Sequence, residues 1–205
     1  MYYGIYKNIR DSSWQCLIDH KIDSLPVDIL KIARNAGVRV IKNSSVGILL
    51  AHEDARSFAD GNNWIIVYND RNSTEVSRLA IAHELGHMFL AHSTTFGKYS
   101  NIREFSKKPK AEEQADRFAQ RLLCPACILM KMGLYSAEDI AIACRVPIDT
   151  AKARSIRMKE LRERNKFFTN ELEKQVCNNF QNYMTSKRDS MQTACSPQTA
   201  ERSLL

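Results

Sequence analysis

Apolar residues along this 205-residue chain fall into helix-like and strand-like spacings in turn. Residues 14–20 read as a short helix. Pro26 opens a second in PVDILKIARNAG, where Val27, Ile29, Leu30, Ile32 and Ala33 supply the apolar positions and Gly37 a C-terminal stop. Strand candidates follow at 38–41, 46–51 and 64–68, the last two separated by a turn signal at Asp60, Gly61, Asn62 and Asn63. Together they predict a small sheet of about three strands.

From Asn69 the period changes. EVSRLAIAHELGHMFLAH predicts a helix whose start is marked by Asn72, with Glu75 three residues on. Between Leu79 and Ala91 the only polar side chains are His83, Glu84 and His87, so apolar residues surround every face and the helix should be central and buried. A polar loop over 93–109 leads to KAEEQADRFAQRLLCP, where apolar positions 111, 115, 118, 119, 122 and 123 recur with helical period until Pro125. Residues 128–132 add another turn, Ser136 begins SAEDIAIACR, and after a corner at Val146-Pro147-Ile148-Asp149 the run TAKARSIRMKELRERNK continues helically. Beyond Thr169 the helical signal weakens, although FFTNELEKQVCNNFQNYM is a candidate oligomerising helix, and 185–205 reads as disordered.

A carboxylate and two imidazoles inside an apolar helix are costly unless something binds them. His83-Glu84-Leu85-Gly86-His87 is H-E-x-x-H: on a helix, residues four apart share a face, so both imidazoles can point at one ion with Glu84 beside its open side. A hydrolytic zinc takes three protein ligands and leaves one position for water. The metzincin pattern would need Gly at 90 and His at 93, where this chain has Leu90 and Ser93, and His92 is one residue out of place. A thermolysin-type centre takes a Glu from a second helix, and Glu112-Glu113-Gln114-Ala115-Asp116 supplies E-x-x-x-D. Glu112 and Asp116 share a face, so Glu112 can be the third ligand while Asp116 holds the N–H of His83 or His87. Glu113 points about 100° away and is the weaker candidate. The fold expected is α+β: a zincin-like metallopeptidase core over 1–135, a basic helix-turn-helix-like extension over 136–168, and a weakly helical to disordered tail over 169–205.

In such a centre Zn2+ activates water and polarises a carbonyl, while Glu84 takes the proton from the attacking water and delivers it to the leaving amine. Tyr68, His92 and Tyr99 are each conceivable second donors to the oxyanion. The strand at 64–68 is a candidate sheet edge for an extended peptide. His20 and His52 lack partners in sequence and read as exposed or capped imidazoles. Cys124 and Cys127 form C-P-A-C without a second such pair and read as small apolar side chains at a helix end.

The formal net charge of +7 is concentrated: residues 152–166 carry seven basic side chains against Glu160 and Glu163. Such a segment could bind phosphate backbone or an acidic partner, with Arg154, Arg157 and Arg162 as its test positions, or be a solvated helix face. No run approaches the ~18 apolar residues of a membrane span, and the start, MYYGIYKNIRDSSWQC, lacks the features of a secretory signal. The expectation is a cytoplasmic protein with reduced thiols that binds no membrane.

Across about residues 24–162 the chain resembles the ImmA/IrrE family of zinc metallopeptidases. LPVDILKIARNAGVRVI is similar to the family's N-terminal helix and first strand, RLAIAHELGHMFLAH to its active-site helix, EEQADRFAQRLLCP to its E-x-x-A-N-x-F-A-x-x-L-L-M-P segment, and EDIAIACRVPIDTAKARSIRMKEL to the helical element after it. The resemblance implies His83, His87 and Glu112 as zinc ligands and Glu84 as catalytic base. It also implies cleavage or antagonism of a repressor of a mobile element or prophage, so that a helix-turn-helix repressor is the expected protein substrate. Asp116 stands where the family has Asn, Cys124 where it has Met, and Val146-Pro147 replaces Val-Ser. The competing reading is a non-catalytic regulator that binds a repressor or DNA through its fold and the basic segment.

Overall fold

The computed structural model describes residues 9–60, 63–91 and 110–194. Its first helix, α1 (Ile9–Asp19), buries Trp14, Cys16 and Leu17. In α2 (Ile29–Asn35) the first turn is closed by Asp28, whose side chain accepts the Lys31 N–H. Gly37, at φ +74°, then turns the chain into β1 (Val38–Lys42).

The second strand is not where apolar patterning puts it. Residues 43–46 form the single turn α3 (Asn43–Val46), closed by Gly47 in the left-handed region. The Asn43 side chain accepts the N–H groups of Ile48 and Leu49, which diverts those amides from any ladder. The strand is instead β2 (Ala55–Asp60), which pairs antiparallel with β3 (Asn63–Tyr68), bringing Asp60 opposite Asn63. β1 runs parallel to β3, so the order is β1-β3-β2 and β3 is the central strand, not an edge. Register places Ala55, Ser57 and Ala59 on the same face as Trp64, Ile66 and Tyr68. That face joins the apolar core.

Against it lies α4 (Thr74–Phe89). Its N-cap is Ser73, which accepts the Val76 N–H; Asn72, the expected start, donates its side-chain N–H to Asp54 instead. α5 (Lys110–Leu123) packs along α4, and α1 packs on α5. The expected loop at 93–109, with His92 and Tyr99, lies outside the described residues.

α6 (Ala126–Met132), α7 (Ala137–Cys144) and α8 (Ile148–Glu163) follow, with Ser136 capping α7 and Pro147 preceding α8. Where weak helicity giving way to disorder was expected, the chain forms α9 (Glu171–Asn179) and α10 (Gln181–Ala194). Val176, Cys177, Phe180 and Met184 are buried in the same cluster as Trp14, Leu122, Ile140 and Met158. Residues from α1 through α10 thus share one core, and burying each large apolar side chain contributes about 1.5–3 kcal/mol. The α+β class with a small sheet on helices is as read from the sequence.

Candidate metal centre

α4 and α5 approach closely at Gly86, where a Cβ would lie 3.2 Å from the Ala115 Cα and carbonyl oxygen and 3.3 Å from the Phe118 ring. A mid-helix glycine costs about 1 kcal/mol relative to alanine. Here it lets the second helix approach closely enough for a side chain on each to meet.

At that approach the Nε2 atoms of His83 and His87 stand 2.9 Å apart. The Glu112 carboxylate reaches both, with Oε2 3.2 Å from His83 Nε2 and Oε1 3.3 Å from His87 Nε2. These donor atoms fit a metal: bonds of about 2.0–2.1 Å in a tetrahedral zinc site place ligand atoms about 3.3 Å from one another. Asp116 Oδ1 accepts from His83 Nδ1 at 2.8 Å. Of the two imidazoles that its spacing left open, it therefore holds His83, fixing the tautomer that turns the Nε2 lone pair inward. Glu113 faces outward to Arg117.

Electrostatics follow from this packing. Burial alone would lower the pKa of His83, but its bonds to Asp116 and Glu112 raise it to about 9. The two histidines hold the Glu112 carboxyl far below the usual carboxylate range. Without a metal, then, a proton sits where a cation would.

Glu84 lies beside the triad, and its Oε2 accepts a 2.6 Å hydrogen bond from the Ser57 hydroxyl of β2. Apolar patterning missed Ser57 because the strand carrying it was misplaced. A cleft of about 540 Å³ opens here, bordered by Ala55 of β2, by Val76, Leu79, Ala80, His83 and Glu84 of α4, and by Glu112, Asp116, Ala119 and Gln120 of α5. Tyr68 does not line it; it borders a separate cavity with Lys42, Asp70 and Arg78.

The model of a peptidase family, Peptidase M78 with an IrrE N-terminal-like domain, matches residues 33–155. The chain belongs to this family. Its match runs from α2 into α8, covering both site helices and leaving α1, α9 and α10 outside. No curated protein matches the chain. Within the M78 frame, His83, His87 and Glu112 are placed to hold a metal ion.

The remaining expected residues sort differently. His52 is exposed, but His20 is buried, stacks on Phe89 at 5.9 Å, and leaves Nε2 without a hydrogen bond. Cys124 and Cys127 are buried free thiols, as are Cys144 and Cys177. Arg154, a test position of the basic segment, is only 4% exposed and donates from Nε to the Cys124 carbonyl at 2.8 Å. It is part of the packing. Arg162 lies over the Tyr135 ring and Arg157 pairs with Glu160. No helix among the described residues is long and apolar enough to cross a membrane.

Proposed function

We propose that this M78 protein is a zinc endopeptidase that hydrolyses a peptide bond in a regulatory protein, a helix-turn-helix repressor of a mobile element or prophage. One observation carries the reading: two Nε2 atoms and a carboxylate converge beside a cleft bordered by His83 and Glu112, with a second carboxylate, Glu84, fixed on the same cleft. A purely structural cluster has no use for that second carboxylate.

His83, His87 and Glu112 would hold the ion, which supplies Lewis acidity for activating water and polarising a carbonyl. Asp116 keeps Nδ1–H of His83 bonded, so that Nε2 remains a donor atom. Because Oε2 of Glu84 is occupied by the Ser57 hydroxyl, Oε1 is the oxygen left to accept the proton of the attacking water and return it to the leaving amine. β2 is a sheet edge beside the cleft, and an extended substrate segment added there would cross in front of Glu84.

Glu84→Gln tests the proposal. The variant should retain full zinc content and lose at least ~10³-fold in cleavage of a co-expressed cognate repressor, followed by mass spectrometry of the fragments. Full cleavage by Glu84→Gln would overturn the catalytic reading; release of repression without any fragment, in variant and wild type alike, would favour the binding regulator.

A further inference from the structure

On α5, Arg121 follows Glu112 by nine residues, about 180° around the helix, and so faces away from the metal centre. It borders a small cavity of about 50 Å³ enclosed by α1, α5, α6, α8 and α9. The side chains around it include Arg10, Arg121, Arg154, Arg157 and Lys166, with Glu173 the one carboxylate.

These cations are poorly compensated. Arg121 is half-buried and has no hydrogen-bond or ion-pair partner among the described residues. Arg154 bonds through Nε to the Cys124 carbonyl, which leaves its remaining N–H groups without a protein acceptor among the described residues. Arg10 pairs with Asp11 and Arg157 with Glu160, and neither of those carboxylates lines the cavity. Glu173, whose carboxylate also accepts the Thr169 N–H at 3.1 Å, can offset only one of these five positive charges. Burial, and then the charges of Arg154, Arg157 and Arg10, push the Arg121 guanidinium down to about 10. Gathering like charges in a recess is unfavourable by itself, and an anion with several acceptor oxygens reverses the sign.

We propose that this cavity binds a small tetrahedral oxyanion, inorganic phosphate or the phosphate of a small phosphomonoester, gripped mainly by Arg121 and Arg154. A single carboxylate would satisfy one guanidinium; a phosphate dianion offers oxygens to donors arriving from α1, α5 and α8 at once. The recess holds one such group, since a volume of this size corresponds to a few water molecules. A nucleic-acid strand would have to reach Arg154, which is only 4% exposed. The site is independent of the metal centre and of its chemistry.

Thermal unfolding of the full chain tests it, in inorganic phosphate, in glycerol phosphate, and in sodium chloride at matched ionic strength. Saturating phosphate should raise Tm by about 5 °C over chloride. Arg121→Gln should abolish that rise and melt higher than wild type in phosphate-free buffer, because an unpaired charge has been removed. A stronger response to glycerol phosphate than to phosphate, still dependent on Arg121, assigns the phosphomonoester source, and the reverse order assigns the free ion. Should Arg121→Gln not fold, Arg157→Gln combined with Lys166→Gln at the outer rim carries the test: a weakened response supports the site and an unchanged one overturns it. Equal responses of wild type and Arg121→Gln, no response beyond chloride, or an Arg121-dependent response to duplex DNA exceeding that to phosphate would each overturn the proposal.

Discussion

His83 carries two hydrogen-bonded nitrogens, and both matter to how the centre loads. Its pKa of about 9 means that in the metal-free protein at pH 7 the imidazole is protonated between Asp116 and Glu112. The shift is upward, so the stabilisation that His83 gives the metal-free fold is complete below about pH 6.5 and fades as pH rises through 9. Zinc needs the Nε2 lone pair, so uptake at pH 7 should release about one proton from His83, falling to none above pH 10. Calorimetric titration in buffers of different ionisation enthalpy measures this; a buffer-independent heat at pH 7 would contradict it. Ser57 acts at the same scale. With three rotatable bonds, Glu84 needs a fixed partner to keep one oxygen aimed at water, and the 2.6 Å bond from Ser57 provides it. Ser57→Ala should lower kcat about tenfold with KM and zinc content little changed, a loss of the size expected for one hydrogen bond to a carboxylate. An unchanged kcat would remove Ser57 from the machinery. The convergence of His83 and His87 was legible from spacing, because i and i+4 on a helix share a face whatever surrounds them, whereas Glu112 came from the pattern of a second helix. The choice of His83 over His87 by Asp116 was not, since it depends on how far α5 is shifted along α4.

That offset is an element-scale property, set at Gly86. With Ala115 backbone atoms 3.2 Å from where its Cβ would be, Gly86→Ala must push α5 outward by a few tenths of an ångström. Glu112 rides on α5, so its carboxylate retreats from both imidazoles. The expected outcome is about 1–3 kcal/mol of lost stability and at least tenfold weaker zinc binding, read from chemical denaturation and from competition with a chelator. A variant with wild-type affinity would show that the close approach is not what assembles the site. Elements rich in large apolar residues were legible: β1, β3, α4 and α5 lie within a few residues of their expected places. β2 was not, because Ala55, Ser57 and Ala59 are small where α4 lies over them, so the strand lacks the β-branched signature. The apolar run 46–51 drew the assignment instead, although Gly47 and the Asn43 side chain hold it out of the sheet.

At the scale of the molecule, the segment that carries most of the net charge is built into the core through Arg154 and Met158, and α9 packs on α1 and α6 while Val176, Phe180 and Met184 join the same core. The tail's polar composition concealed this, since a few buried residues per helix are enough to dock it once a partner surface exists. The central expectation for this molecule is that α4 and α5 assemble a metal centre from His83, His87 and Glu112. Elemental analysis of protein purified without added zinc, alongside Glu112→Ala, tests it most directly. We expect about one zinc per chain in the wild type and at most a tenth of that in the variant, with both folded by circular dichroism. Zinc absent from both after reconstitution, or retained equally by both, would contradict the two-helix centre.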